Sequence, residues 1–146
     1  MSINTATQAI VTAIKTRYDS TAGNGIRTAG ATGFYYGRAP ADRAYPFIVV
    51  NVPASVTEST VGQGSGASGI YNDISVDVSV FDDRRSPDRA LTILGLWHTA
   101  FNFVDLTLDE NYRQVMGYKS QDALTIEEPD QKGWHCVATY AYNIAE

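Results

Sequence analysis

The chain is short of the residues that most enzymatic and export chemistries need. It has one cysteine, Cys136, and two histidines, His98 and His135. A lone cysteine excludes an intramolecular disulfide, and its apolar surroundings without a thiol partner point to a reducing cytosol. Metal binding needs several converging ligands, and neither a Cys-x-x-Cys nor a His-x-x-x-His spacing is present, so no metal is expected. Basic residues number 11 against 16 acidic ones, for a net charge of −5 at pH 7. Such a balance is a poor grip for nucleic acid, which needs local Lys/Arg density. No apolar run approaches the ~18 residues of a membrane span. Residues Met1–Thr5 lack both a basic segment and an apolar run, so no secretory signal is expected. Internal repeats and low-complexity tails are also missing. With 44% hydrophobic and 18% charged residues, residues 1–146 read as one soluble globular domain.

What is present begins with two strand-like runs, Pro46–Pro53 and Tyr71–Asp82. The first is apolar on both faces, as in the middle of a covered sheet. In the second, Ile74, Val76, Val78 and Val80 alternate with Ser75, Asp77 and Ser79, the signature of a half-buried strand. Between them residues 54–70 form one long loop: Ala54–Gly69 carries one charge, Glu58, and four glycines, Gly62, Gly64, Gly66 and Gly69. Compact domains rarely keep so long a connection without a use for it. Glu58, Gly62, Gln63, Gly64, Gly66 and Gly69 are therefore the candidate assembly-loop residues.

The remaining elements follow from periodicity. Ile3, Ala6, Ile10, Ala13 and Ile14 recur at helical spacing over residues 3–18, with Ser2 or Asn4 as N-cap and a turn cluster from Asp19 to Gly25 as stop. Residues 25–33 read as irregular, and Phe34–Ala39 as a short strand. Asp82–Asp88 reads as a solvated corner leading into the strongest helix, about Pro87–Phe103. Ser86 suits its N-cap, and Ala90, Ile93, Leu94, Trp97, Ala100, Phe101 and Val104 form the core stripe. Leu106–Leu108 and Tyr112–Ser120 are strand candidates, Ala123–Gly133 an acidic loop, and Trp134–Ile144 the last strand. The fold class is α+β: a mostly antiparallel sheet with two helices packed on one face, in the order α-β-β-β-α-β-β.

No motif carries chemistry. The Gly62–Gly66 run is not followed by the Lys-Ser/Thr and helix of a phosphate loop, so no cofactor is expected. Cys136, between Trp134 and Val137, reads as a small buried hydrophobe rather than a nucleophile partnered by His98. Asp122, Glu127, Glu128 and Asp130 show no convergent pair for acid–base work, so no catalytic residue is assigned. Their functional reading is a negative surface that lets DNA slide past.

The amphipathic N-terminal helix, the Tyr45–Val50 strand, the soft loop, Val76–Phe81 and the helix with its Trp97 core then resemble, across nearly the whole chain, the tail terminator (tail completion) proteins of long-tailed bacteriophages and related tail-like particles. The glycine-rich 19–33 segment has no counterpart in that pattern. The resemblance implies a non-enzymatic protein forming a ring, commonly a hexamer, that caps the tail tube, stops its polymerisation and docks the head connector. Its partners would be other copies of itself, the tail tube protein and a head-connector or neck protein. DNA would pass through the lumen without specific binding, with Asp122, Glu127, Glu128 and Asp130 as the candidate acidic lining. Its location would be the head-proximal end of the virion tail, after synthesis in the host cytoplasm. Two alternatives stay open: a neck or head-tail connector adaptor, and a small ligand-binding domain or enzyme with the 54–70 loop as lid. The enzyme would show a buried polar constellation around His98, Tyr140 and Asp77.

Overall fold

Alternation at period two commits Ile74, Val76, Val78 and Val80 to one side of a strand, and in the computed structural model that side faces two helices. The structure describes residues 5–60, 69–109, 112–128 and 133–146. Helix α1 spans Ala6–Asp19, a 3₁₀ turn Thr21–Gly23, α2 Asn24–Thr28, and α3 Asp88–Phe101. The strands are β1 Phe34–Tyr36, β2 Phe47–Thr60, β3 Gly69–Asp82, β4 Arg113–Glu128 and β5 Gly133–Ala145. They form one five-stranded sheet in the order β1-β2-β3-β5-β4. The β1–β2 pair is parallel and the other three pairs are antiparallel. The α+β class, the element order and the placing of both long helices on one face are as the sequence pattern predicts. The short α2 is an addition.

Register places the core. Val80 lies between Ile48 and Cys136, and Val78 between Val50 and Ala138. Val76 and Ile74 pair with Tyr140 and Tyr142. All of these side chains are buried together with Ile10 and Ile14 of α1 and Ile93, Trp97 and Phe101 of α3. Trp97 stacks on Phe101 at 4.2 Å and on Phe34 at 6.1 Å. Arg17 Nε donates to the Ala100 carbonyl (2.7 Å), tying α1 to the end of α3.

Several element ends differ from the sequence expectation, each for a local reason. The N-cap of α1 is Thr5, not Ser2 or Asn4: its hydroxyl accepts from the Gln8 N–H (3.2 Å), and the Gln8 side chain accepts from the Thr5 N–H (2.8 Å). This reciprocal capping satisfies two otherwise unpaired donors. At the start of α3 the N-cap is Pro87, not Ser86, with no side-chain cap bond; Ser86, one residue earlier, accepts from the Asp88 N–H through its Oγ (3.2 Å). Leu106–Leu108 is not a strand; Leu106 is buried, and its N–H donates to Gln114 Oε1 (3.1 Å).

The long 54–70 loop is corrected at both flanks. Strand β2 continues through Thr60 and pairs with β3 from Ala54↔Ser75 to Thr60↔Gly69. Pro53, expected to close the strand, sits instead in a register shift between Asn51 and Ala54, where its missing N–H interrupts little. Likewise residues 123–128, expected as an acidic loop, extend β4, because Leu124, Thr125 and Ile126 pair with Val137, Cys136 and His135. Gly133 lets the start of β5 lie close against β3, since a Cβ there would run into the Asp82 carbonyl.

Candidate assembly surface

The face of the sheet turned away from the helices carries the most unusual side chains. Here β4 is an edge strand, hydrogen-bonded on one side by β5 alone. Along it Met116, Tyr118, Leu124 and Ile126 stand opposite Asn143, Ala141, Val137 and His135, all on the outer face. Val115, Met116, Leu124 and Ile126 are 45–51% exposed, and Tyr118 is 37% exposed. Apolar side chains concentrated on one open edge make this the candidate interaction surface. Three register irregularities, at 114/116, 119/121 and 121/124, break the edge hydrogen-bond ladder. The strand is thus a poor template for adding another strand and offers side chains rather than backbone.

Phe103 extends this surface. It is 77% exposed and stacks beside Tyr118 with ring centroids 6.4 Å apart. Its backbone is left-handed, with φ of 55°, a conformation costly for a bulky residue. The Phe103 N–H donates to the Gly117 carbonyl (3.0 Å), which holds the strained turn against β4. A strained backbone that presents an aromatic ring to solvent is a feature found at functional sites. Periodicity could not reveal it, because Phe103 reads as the last residue of the expected helix.

The candidate assembly-loop residues are divided. Glu58 lies in β2 opposite Tyr71, and Gly69 in β3 opposite Thr60. Gly62, Gln63, Gly64 and Gly66 lie outside the described residues. The half of β2 that carries this hairpin is exposed at Pro53–Thr57, with Val56 55% exposed.

The acidic candidates lie along β4 and do not converge. Asp122 accepts from Lys119 Nζ at 2.7 Å, and that bond, with the Ala123 N–H and the Lys119 charge, lowers its carboxyl below the usual range. Glu128 lies 3.6 Å from His135 Nδ1. Burial lowers the His135 imidazole, and Glu128 offsets this only in part. Glu127 is exposed, and Asp130 lies outside the described residues. Among the described residues Glu127 is the one β4 carboxylate without an ion-pair partner.

The constellation expected of an enzyme does not assemble. His98 and Tyr140 line one hollow of about 300 Å³ together with Lys119 and Asp122. Asp77 is on the opposite face of the sheet, accepting from Thr139 Oγ1 at 2.7 Å. Cys136 is fully buried, and burial, with the Asp82 charge, pushes its thiol up to about 11, the reverse of an activated thiolate. Among the described residues no three His, Cys, Asp or Glu side chains group as metal ligands. No helix among them is long and apolar enough to cross a membrane.

The Asp82–Asp88 corner, expected to be solvated, holds a buried ion pair. Asp82 is 2% exposed and accepts from Arg89 Nε at 2.8 Å and from Arg89 Nη2. Burial alone would raise its carboxyl; the Arg89 bonds and charge, with the Asp83 N–H, outweigh that and hold it below the usual range.

No protein-family model matches the chain, and no curated protein does. Among solved structures, a chain described as belonging to the virion of a native gene transfer agent particle is similar in fold. The TM-score is 0.66, with 99% of this chain and 100% of that one covered, at 16% identity. At this identity it is a likeness of backbone and carries no side chain across.

Proposed function

We propose that the chain is a structural subunit of a phage-like particle, and within such a particle the tail terminator: a ring that caps the tail tube and receives the head connector. The observation that carries this reading is the apolar row on the open β4 edge, joined by the strained and exposed Phe103. Such a surface suits permanent packing against other protein chains. The end-to-end fold likeness to a chain of a gene transfer agent virion supports the particle setting. The divided His98, Tyr140 and Asp77 argue against the lidded enzyme. In a ring the contact between copies is head-to-tail, so one face of each subunit meets a different face of the next. Among the acidic residues of β4, Asp122 and Glu128 would then lie toward the lumen.

The test is molar mass by light scattering over a concentration series, followed by negative-stain imaging. The expected result is a ring with a central channel that shortens or blocks tail-tube polymerisation when added to tube protein. A monomer at every concentration, with and without tube protein, overturns the reading. Binding to a connector ring without any effect on tube growth would replace it with the neck-adaptor alternative.

A further inference from the structure

On the outer face, at the end of the sheet that carries β1, a row of rings crosses the strands. Tyr45, Phe47, Phe81 and His135 follow one another at centroid distances of 5.3, 5.0 and 4.2 Å. Above this row is a hollow of about 320 Å³ whose polar lining comes from Arg38, Arg43, Asn51, Ser79 and His135. Arg43 is held firmly. Its Nη1 donates to the Ala41 carbonyl (3.0 Å) and its Nη2 to the Tyr45 hydroxyl (3.1 Å), with the guanidinium carbon 5.3 Å from the Phe47 ring centre. Yet Arg43 Nε is buried without a hydrogen-bond partner, and so is His135 Nε2. Neither Arg38 nor Arg43 forms an ion pair among the described residues.

A chain of net charge −5 thus keeps two uncompensated arginines around a semi-enclosed aromatic floor. A buried donor without a partner is costly. A guanidinium already fixed by stacking and two hydrogen bonds loses little entropy when a planar anion arrives. The chemistry is that of a carboxylate socket. Phosphate of duplex DNA is the weaker candidate. Arg43 already lies over the Tyr45 and Phe47 rings and Phe47 is buried, which leaves little ring face for a base, and the net charge repels the backbone.

We propose that this hollow receives Glu127 of a second copy of the chain, an inference that rests on the ring reading above. Glu127 is exposed and unpaired among the described residues; it stands on the open edge strand opposite Trp134, on the other face of the sheet from Ile126 and Leu124. Arg38 follows β1 at one end of the strand order, and β4 is the other end. Head-to-tail packing brings these two ends together, whereas a two-fold contact would bring like to like. The Glu127–arginine contact at the β4 edge then provides register and rejects wrong orientations.

The experiment is a charge swap read by light scattering, with circular dichroism to check folding. Glu127→Arg and Arg38→Glu, both at exposed positions, should each raise the association midpoint by about tenfold or more. Combining E127R with R38E should return it to within about threefold of the wild type. R43Q, in which the fork is lost, should behave like R38E. If the wild type assembles and E127R assembles equally well, the socket is overturned while the ring reading stands. The socket is equally overturned if the double variant assembles no better than the singles. If the wild type never assembles, the ring reading fails first and the socket with it. Fluorescence anisotropy with a labelled DNA duplex supplies the remaining arm: Arg38-dependent binding there, with association unchanged, overturns the carboxylate assignment.

Discussion

At the scale of single residues, Asp82 and Phe103 pull in opposite directions. Asp82 is buried and ionised because Arg89 reaches it from the first turn of α3. Removing one partner of a fully buried pair costs ~3–5 kcal/mol. Arg89 keeps 22% exposure and can rehydrate, so Asp82→Ala should cost nearer ~2 kcal/mol in urea unfolding. The sign with pH follows from the lowered carboxyl. The pair's contribution is complete above the ordinary value of 3.8 and is lost as pH falls through the lower folded-state value. Asp82→Asn should flatten that acid limb, and an unchanged limb would show that other groups dominate it. Phe103 is the reverse case, a residue whose backbone destabilises the fold. Phe103→Gly should relieve ~1–2 kcal/mol of left-handed strain, against added unfolded-state freedom of ~1 kcal/mol, so thermal stability should hold or rise. Association should weaken in the same variant. A variant that loses stability and keeps association would mean that the ring packs inward rather than toward a partner. Neither residue was legible in the chain: Asp82 reads as one more charge in a turn, and its partner lies seven positions on.

Among elements, the β2–β3 hairpin and β4 set the character of the surface. Residues 54–60 contain few large apolar side chains and follow a proline, so a local reading makes them loop. Their strand state is imposed by pairing with Gly69–Ser75 of β3, and propensity yields to such tertiary pairing. Because Thr60 and Gly69 are paired, residues 61–68 can be replaced by Asn-Gly, which closes a two-residue hairpin. Shortening the connection from eight residues to two lowers the closure cost by about 1 kcal/mol, so the unfolding midpoint should not fall. If the segment engages the tail tube, capping should be lost, and a variant that caps normally would remove the segment from the assembly surface. Strand β4 behaves in the same way. Its acidic half reads as a loop because the charges hide the alternation of Leu124 and Ile126 that β5 completes.

For the whole molecule, the consequence is a two-sided sheet with unlike faces. One face is covered by α1 and α3, and the other is left with apolar side chains at its β4 edge and cations near β1. Met116→Lys with Leu124→Lys tests this arrangement directly. Both sites are about half exposed, so the fold should change by no more than ~0.5 kcal/mol per site. The association midpoint seen by light scattering should rise by about a hundredfold, the loss of two buried apolar contacts. Wild-type association in this variant would move the interface away from β4.

The sequence by itself determined which residues turn inward. Period two in Ile74–Val80 and period 3.6 in Ala90–Phe101 belong to the chain locally, because backbone geometry sets those repeats whatever lies opposite. It also determined the α+β class and the element order. Only the tertiary structure decided which strand became the open edge, that β1 runs parallel to β2, that Arg89 neutralises Asp82, and that Arg38, Arg43 and His135 share one hollow. Those outcomes depend on strand register between segments far apart in sequence. A shift of one residue would send every side chain to the other face, and nothing local to either segment carries that choice.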